Sequence, residues 1–137
     1  MERLEQIKQP ISAEFEVFKQ KFDASLQSSN PLLDEVIRFI KQRKGKMMRP
    51  MLAMLMAKLC GEIADSTYYA AISLELLHTA SLVHDDVVDE SDKRRGQSSV
   101  NAIYDNKVSV LVGDYLLATS LTNAALSADI RLVDLVA

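Results

Sequence analysis

The stretch DSTYYAAISLELLHTASLVHDDVVD, residues 65–89, decides the fold. Tyr69, Ile72, Leu76, Leu77, Ala80 and Val83 recur there at helical spacing, behind Asp65 or Ser66 as candidate caps, and predict one long helix to about Asp89. Its end carries Asp85, Asp86 and Asp89, three carboxylates within five residues. Like charges gathered where an apolar run ends repel one another and are costly to bury, which points to a bound cation. At about 100° per residue, Asp85 and Asp89 lie about 40° apart on the helix surface, and His78 lies about 20° from Asp85, two turns earlier. Oxygen-only ligands suit Mg2+ holding a phosphorylated ligand, whereas the spacing of zinc ligands is missing. The alternative is a solvated helix end whose acids oppose the macrodipole, and the triplet alone does not separate the two.

Working outward, the flanking segments also read as helices. Ile11, Phe15, Phe18, Phe22 and Leu26 form a stripe with spacings of three and four, with Pro10 near its first turn. Ser28-Ser29-Asn30-Pro31 breaks that stripe and starts a second helix, buried through Leu33, Val36, Ile37 and Ile40. After a basic stretch over 41–49, Pro50 opens a third helix, whose methionines are expected core filler and which Gly61 terminates. Downstream, 90–97 reads as a loop, Ser98 or Ser99 as the cap of a short helix, and Asn106 as a break. From about Lys107 follows a helix with little polar face, through Val108, Val110, Leu111, Val112, Leu116, Leu117 and Leu121; it should be central or form a subunit contact, with Gly113 permitting close approach. Asp129 caps a last segment, IRLVDLVA, whose Leu132, Val133, Leu135 and Val136 need a partner. The expectation is a single all-helical domain over 1–137, cut from a longer chain or completed in an oligomer.

Composition agrees with an all-α class. The 137 residues are 48% hydrophobic with four glycines, three prolines and no tryptophan, enough for one domain with a core. A net charge of −3 provides no general basic field, so nucleic acid is not an expected partner. Cys60 has no second cysteine to pair with, and its place on an apolar helix face suits a reduced cytosolic interior. The N-terminus lacks an apolar signal core and no apolar run reaches the roughly 18 residues that span a bilayer, so a cytoplasmic protein without a transmembrane segment is expected.

Two basic turns flank the acids. Gly45-Lys46-Met47-Met48-Arg49-Pro50 sets Lys46 and Arg49 on a turn entering a helix, where free N–H groups and a bidentate guanidinium suit a diphosphate. Asp92-Lys93-Arg94-Arg95-Gly96 follows the acidic helix. Either turn alone also fits an ordinary solvated loop, and a lone histidine such as His78 also fits a hydrogen-bonded core residue. Taken together, one acidic face and two cationic turns suit two polyphosphate ligands, one bridged by metal and one gripped directly.

These residues, in this order, resemble the trans-prenyltransferases, or polyprenyl diphosphate synthases. The resemblance rests on GKMMRP at 45–50, ELLHTASLVHDDVVD at 75–89, Arg94-Arg95-Gly96 and GDYLL at 113–117. It implies the N-terminal part of an isoprenoid-synthase-type helical bundle around a deep cavity, in a homodimer. It further implies that Lys46, Arg49, His78 and Arg95 hold isopentenyl diphosphate and that Arg94 contacts an allylic diphosphate such as farnesyl diphosphate. Asp85 and Asp89 would ligate Mg2+, with Asp86 supporting the same catalytic motif. Bulky residues just before the aspartates floor the cavity of short-chain family members. Ala80 and Ser81 stand there here, which implies a long-chain product of the kind used as a quinone side chain.

One departure matters. The family's second aspartate-rich motif has no counterpart in these residues, so the chain alone is expected to bind metal and diphosphate poorly and to turn over little or nothing. A non-catalytic helical partner subunit of a heteromeric prenyl synthase is an alternative, although it would have no need of Lys46, Arg49, Asp85, Asp89 and Arg94. A terpene cyclase is another, although it would not require a second diphosphate site.

Overall fold

The computed structural model describes residues 2–42, 47–94 and 96–137. Helix α5, Asp65–Val88, is the spine that the sequence predicts, and it buries Ala71, Ile72, Leu76, Ala80 and Val83. Its N-cap is Ala64 rather than Asp65 or Ser66: the Ala64 N–H donates to the Thr67 hydroxyl at 3.2 Å, so a side chain inside the first turn replaces the expected cap. Helix α7, Asn106–Leu126, packs along α5 and is central, as expected. The two are clasped where Ser73 and Ser120 each donate to the other's backbone carbonyl, at 2.9 and 2.8 Å, in fully buried surroundings. Small residues there let the backbones approach, and the reciprocal bonds leave neither hydroxyl unsatisfied.

Upstream, the chain is already helical over α1, Glu2–Lys8, and passes through a 3-10 turn, Gln9–Ile11, into α2, Ser12–Ser25. Helical structure therefore begins earlier than the expected single helix and tightens at Pro10, which has no N–H for an α-helical bond, before α2. The phenylalanine stripe is buried as predicted, with Phe15 and Phe18 ring centroids 5.6 Å apart and Ile11 and Phe18 fully enclosed. Asn30 caps α3, Pro31–Lys41, accepting from the Leu32 and Leu33 N–H groups at 3.0 and 3.1 Å.

Helix α4, Met48–Cys60, turns Met51 and Met54 into the core, while Leu52, Met56 and Leu59 face outward. Cys60, the last residue of the helix, is exposed. More apolar residues line α4 than one packed face can cover, and the last turn falls on the outer side.

The stretch 90–97 holds more order than a loop. Residues Lys93–Arg94 (β1) and Gln97–Ser98 (β2) form a short antiparallel hairpin, with Gly96 in its turn at φ +79°. Ser99 precedes α6, Val100–Tyr104, and ties the hairpin down: its N–H donates to the Asp92 carbonyl and its hydroxyl to the Ser91 carbonyl, both at 2.8 Å. The break before α7 is Asp105 rather than Asn106. Asp105 takes φ +88° and its carboxylate accepts from the Val108 N–H at 2.9 Å. Asp129 caps α8, Ile130–Val136, where Ile130 and Leu135 are each 82% exposed. No described helix is long and apolar enough to cross a membrane.

Candidate functional site

Along α5, His78 is half-buried while Ser81, Asp85 and Asp89 are exposed, and these four lie within about 80° of one another on the helix surface. Leu74, 39% exposed, extends the same row toward the N-terminus. One open face thus runs from a carboxylate end to an apolar end. Asp85 lies in the last turn and Asp89 is the C-cap, joined by a bond from the Asp89 N–H to the Asp85 carbonyl at 2.8 Å. Two exposed, oxygen-only carboxylates one turn apart fit a hard cation that keeps waters and takes its other ligands from a phosphate. Among the described residues no set of three acidic, histidine or cysteine side chains stands ready to enclose a metal, so Asp85 and Asp89 would form only one side of such a site.

Asp86 behaves differently from its two neighbours. It is 5% exposed, and Arg94 of β1 grips it with Nε–H donating to both carboxylate oxygens at 3.2 and 3.1 Å and Nη2 donating to Oδ1 at 2.7 Å. The Ser91 N–H also donates to the Asp86 carbonyl at 2.9 Å. The bond to Asp86 raises the Arg94 guanidinium above its usual range, against the opposing effect of burial, and the charges of Asp85 and Asp89 add to it. The basic hairpin is thereby fastened to the acidic helix end.

Arg49 is exposed in the first turn of α4, just after Met47, whose left-handed φ of +54° turns the chain into the helix. Lys46 and Arg95, the other two cations expected at the site, lie outside the described residues. Ala80 and Ser81 do not share a face. Ala80 is 2% exposed in the core, whereas Ser81 lies on the open row with its hydroxyl donating to the Leu77 carbonyl at 2.9 Å. Successive residues on a helix point about 100° apart, so only Ser81 shares the surface of the aspartates.

Two features of the site were not expected. Glu75, one turn before His78, has its Oε2 buried with no hydrogen-bond partner among the described residues; burial pushes its carboxyl above the ordinary range, and the charge of Arg49 partly offsets this. His84, adjoining Asp85, directs Nε2 toward the Val110 carbonyl at 3.2 Å and an Asp114 carboxylate oxygen at 3.3 Å, both on α7. Its ring lies over Gly113, where a Cβ would overlap it; the close approach expected at that glycine is with this histidine. Residue identity alone signals neither contact, because each depends on how α5 meets another helix.

Residues 30–137 match the Polyprenyl synthetase family. An all-trans-nonaprenyl-diphosphate synthase (geranyl-diphosphate specific) from Rhodobacter capsulatus is 42% identical over 111 residues, 80% of this chain and 34% of that protein. Among solved structures, a decaprenyl diphosphate synthase from Rhodobacter capsulatus superposes with a TM-score of 0.90 at 34% identity, over 97% of this chain and 41% of that one. A geranylgeranyl pyrophosphate synthase from Bacteroides thetaiotaomicron gives a TM-score of 0.76 at 49% identity, over 99% and 38%. The chain therefore spans about 34–41% of the length of these relatives. With its fold, its aspartate-bearing α5 and its match over residues 30–137, this chain belongs to the polyprenyl synthetase family.

Proposed function

We propose that this chain supplies the first-aspartate-motif part of a long-chain trans-polyprenyl diphosphate synthase, which condenses isopentenyl diphosphate with an allylic diphosphate and works in the cytoplasm as a homodimer. The observation that carries this reading is the open row on α5, with Asp85 and Asp89 at one end and Ser81 and Leu74 leading away from them. In it, Asp85 and Asp89 hold Mg2+, which when bound neutralises charge building on the leaving diphosphate. Arg49, Lys46, His78 and Arg95 grip the diphosphate of isopentenyl diphosphate, and Arg94, fixed by Asp86, faces the allylic diphosphate. The allylic C–O bond breaks with its electron pair leaving on the diphosphate. The double bond of isopentenyl diphosphate attacks the resulting cation, and a proton passes to the released diphosphate, which restores an alkene. The chain's share is to hold both diphosphates in register and keep an apolar wall beside the cation.

The growing prenyl chain runs past Ser81 toward Leu74. A small side chain at Ser81 leaves that path open, which supports a long product, while Ala80 lies in the core and acts only through packing. Activity calls for the further length found in the relatives, on the same polypeptide or on another.

A chimera tests the reading: residues 1–137 replace the matching segment of the Rhodobacter capsulatus nonaprenyl synthase, and incorporation of labelled isopentenyl diphosphate is followed by chain length. The expected result is Mg2+-dependent elongation that falls at least about a hundredfold with Asp85→Asn plus Asp89→Asn, comparable to losing one or two charge-stabilising contacts. Ser81→Phe should shorten the product. Undiminished elongation by the double variant would overturn the assignment.

A further inference from the structure

We propose that His84 is a positioning residue for the Asp85–Asp89 pair, acting through a bridge to α7 that sets how the acidic end of α5 is turned; the proposal rests on the metal-holding role given to those two aspartates. A helix C-terminus is poorly suited to hold carboxylates in place. Its last carbonyls lack intrahelical partners, and negative charge there opposes the macrodipole. The last turn of α5 therefore needs anchors from outside the helix, and two are present among the described residues. One is Arg94, which grips Asp86 from the hairpin. The other is His84, about 100° around the helix from Asp85.

The chemistry of the second anchor follows from its acceptors. A carbonyl oxygen only accepts, so Nε2 carries the proton and shares it between the Val110 carbonyl at 3.2 Å and Asp114 Oδ1 at 3.3 Å. The ring is 32% exposed and packs over Gly113, where only hydrogen leaves room for it. Two acceptors and a glycine notch on one helix constrain the ring from three directions. Because Asp85 follows His84 directly, fixing the ring fixes the rotation of the turn that carries the carboxylates. With Arg94 holding Asp86 from the hairpin and α7 holding His84, Asp85 and Asp89 are left facing the open row. Ligand groups lose metal affinity by about 10–100-fold when residues that orient them are removed.

Mn2+ titration of the 15N-labelled chain tests this, read as selective broadening of the amide signals of residues 85–90, with circular dichroism confirming the fold of each variant. In the unsubstituted chain the broadening should saturate, and Asp85→Asn plus Asp89→Asn should abolish it. His84→Ala should raise the half-saturating Mn2+ concentration at least about fivefold. His84→Gln, whose terminal amide can reach the position of Nε2 and donate to Val110, should return it to within about twofold. Unchanged half-saturation in folded His84→Ala would overturn the positioning role and leave the aspartate assignment standing. Broadening that is the same in the unsubstituted chain and the double aspartate variant would overturn both.

Discussion

At the scale of single residues, the three aspartates divide into two kinds. Asp85 and Asp89 are exposed and face the open row, whereas Asp86 is buried and taken up by Arg94. Residue type and spacing identify the acidic cluster, but they do not foretell this division, because Arg94 reaches Asp86 only through the intervening hairpin. Glu75 and His84 were illegible for the same reason: their environments come from α4 and α7. Glu75 offers a pH test. Below the ordinary carboxylate range both folded and unfolded chains hold its proton, and burial carries no charge penalty. As pH rises the unfolded chain ionises first while the folded one retains the proton, so stability falls until the raised folded pKa is passed. Glu75→Gln should therefore stabilise the chain at pH 7, and in urea unfolding its advantage should shrink below the ordinary glutamate range. An equal advantage at pH 4 and pH 7 would contradict the assignment. At Gly113, an added methyl meets the His84 ring. Gly113→Ala should cost about 1–3 kcal/mol in urea unfolding, and distinctly less in a His84→Ala background, where the overlap is gone. Equal costs in both backgrounds would place the strain elsewhere.

At the scale of elements, most of the helices were legible because their apolar residues recur every three or four positions over several turns. Helices α2, α3, α4, α5 and α7 follow that signal. What escaped lacks it. Helix α1 carries few apolar residues, and a hairpin of two-residue strands is too short to show alternation. The boundaries that shifted, Ala64 before α5 and Asp105 before α7, are set by individual hydrogen bonds, a hydroxyl in one case and a carboxylate in the other. The α5–α7 pair is joined by its buried serine clasp as well as by apolar packing. Ser73→Ala should lower stability by about 1 kcal/mol, and the Ser73→Ala, Ser120→Ala pair by less than the sum of the singles, because the hydroxyls share one environment. Strict additivity in thermal or urea unfolding would show that the two do not cooperate.

At the scale of the whole molecule, apolar side chains remain on the surface: Leu52, Met56 and Leu59 on α4, Val110, Leu111 and Leu121 on α7, Ile130 and Leu135 on α8. The relatives contain well over twice the length of this chain, and the fold of the Rhodobacter capsulatus decaprenyl diphosphate synthase over the shared part is reproduced with a TM-score of 0.90. The chain holds a carboxylate pair, a fastened basic hairpin and Arg49, and the proposed function makes these the place for diphosphate. The most direct test of that claim is calorimetric titration of inorganic diphosphate into the 137-residue chain, with and without Mg2+. The account predicts weak binding that requires Mg2+ and that Asp85→Asn plus Asp89→Asn weakens at least about tenfold, or ~1.4 kcal/mol. Binding of equal strength without Mg2+, or untouched by the two substitutions, would contradict it.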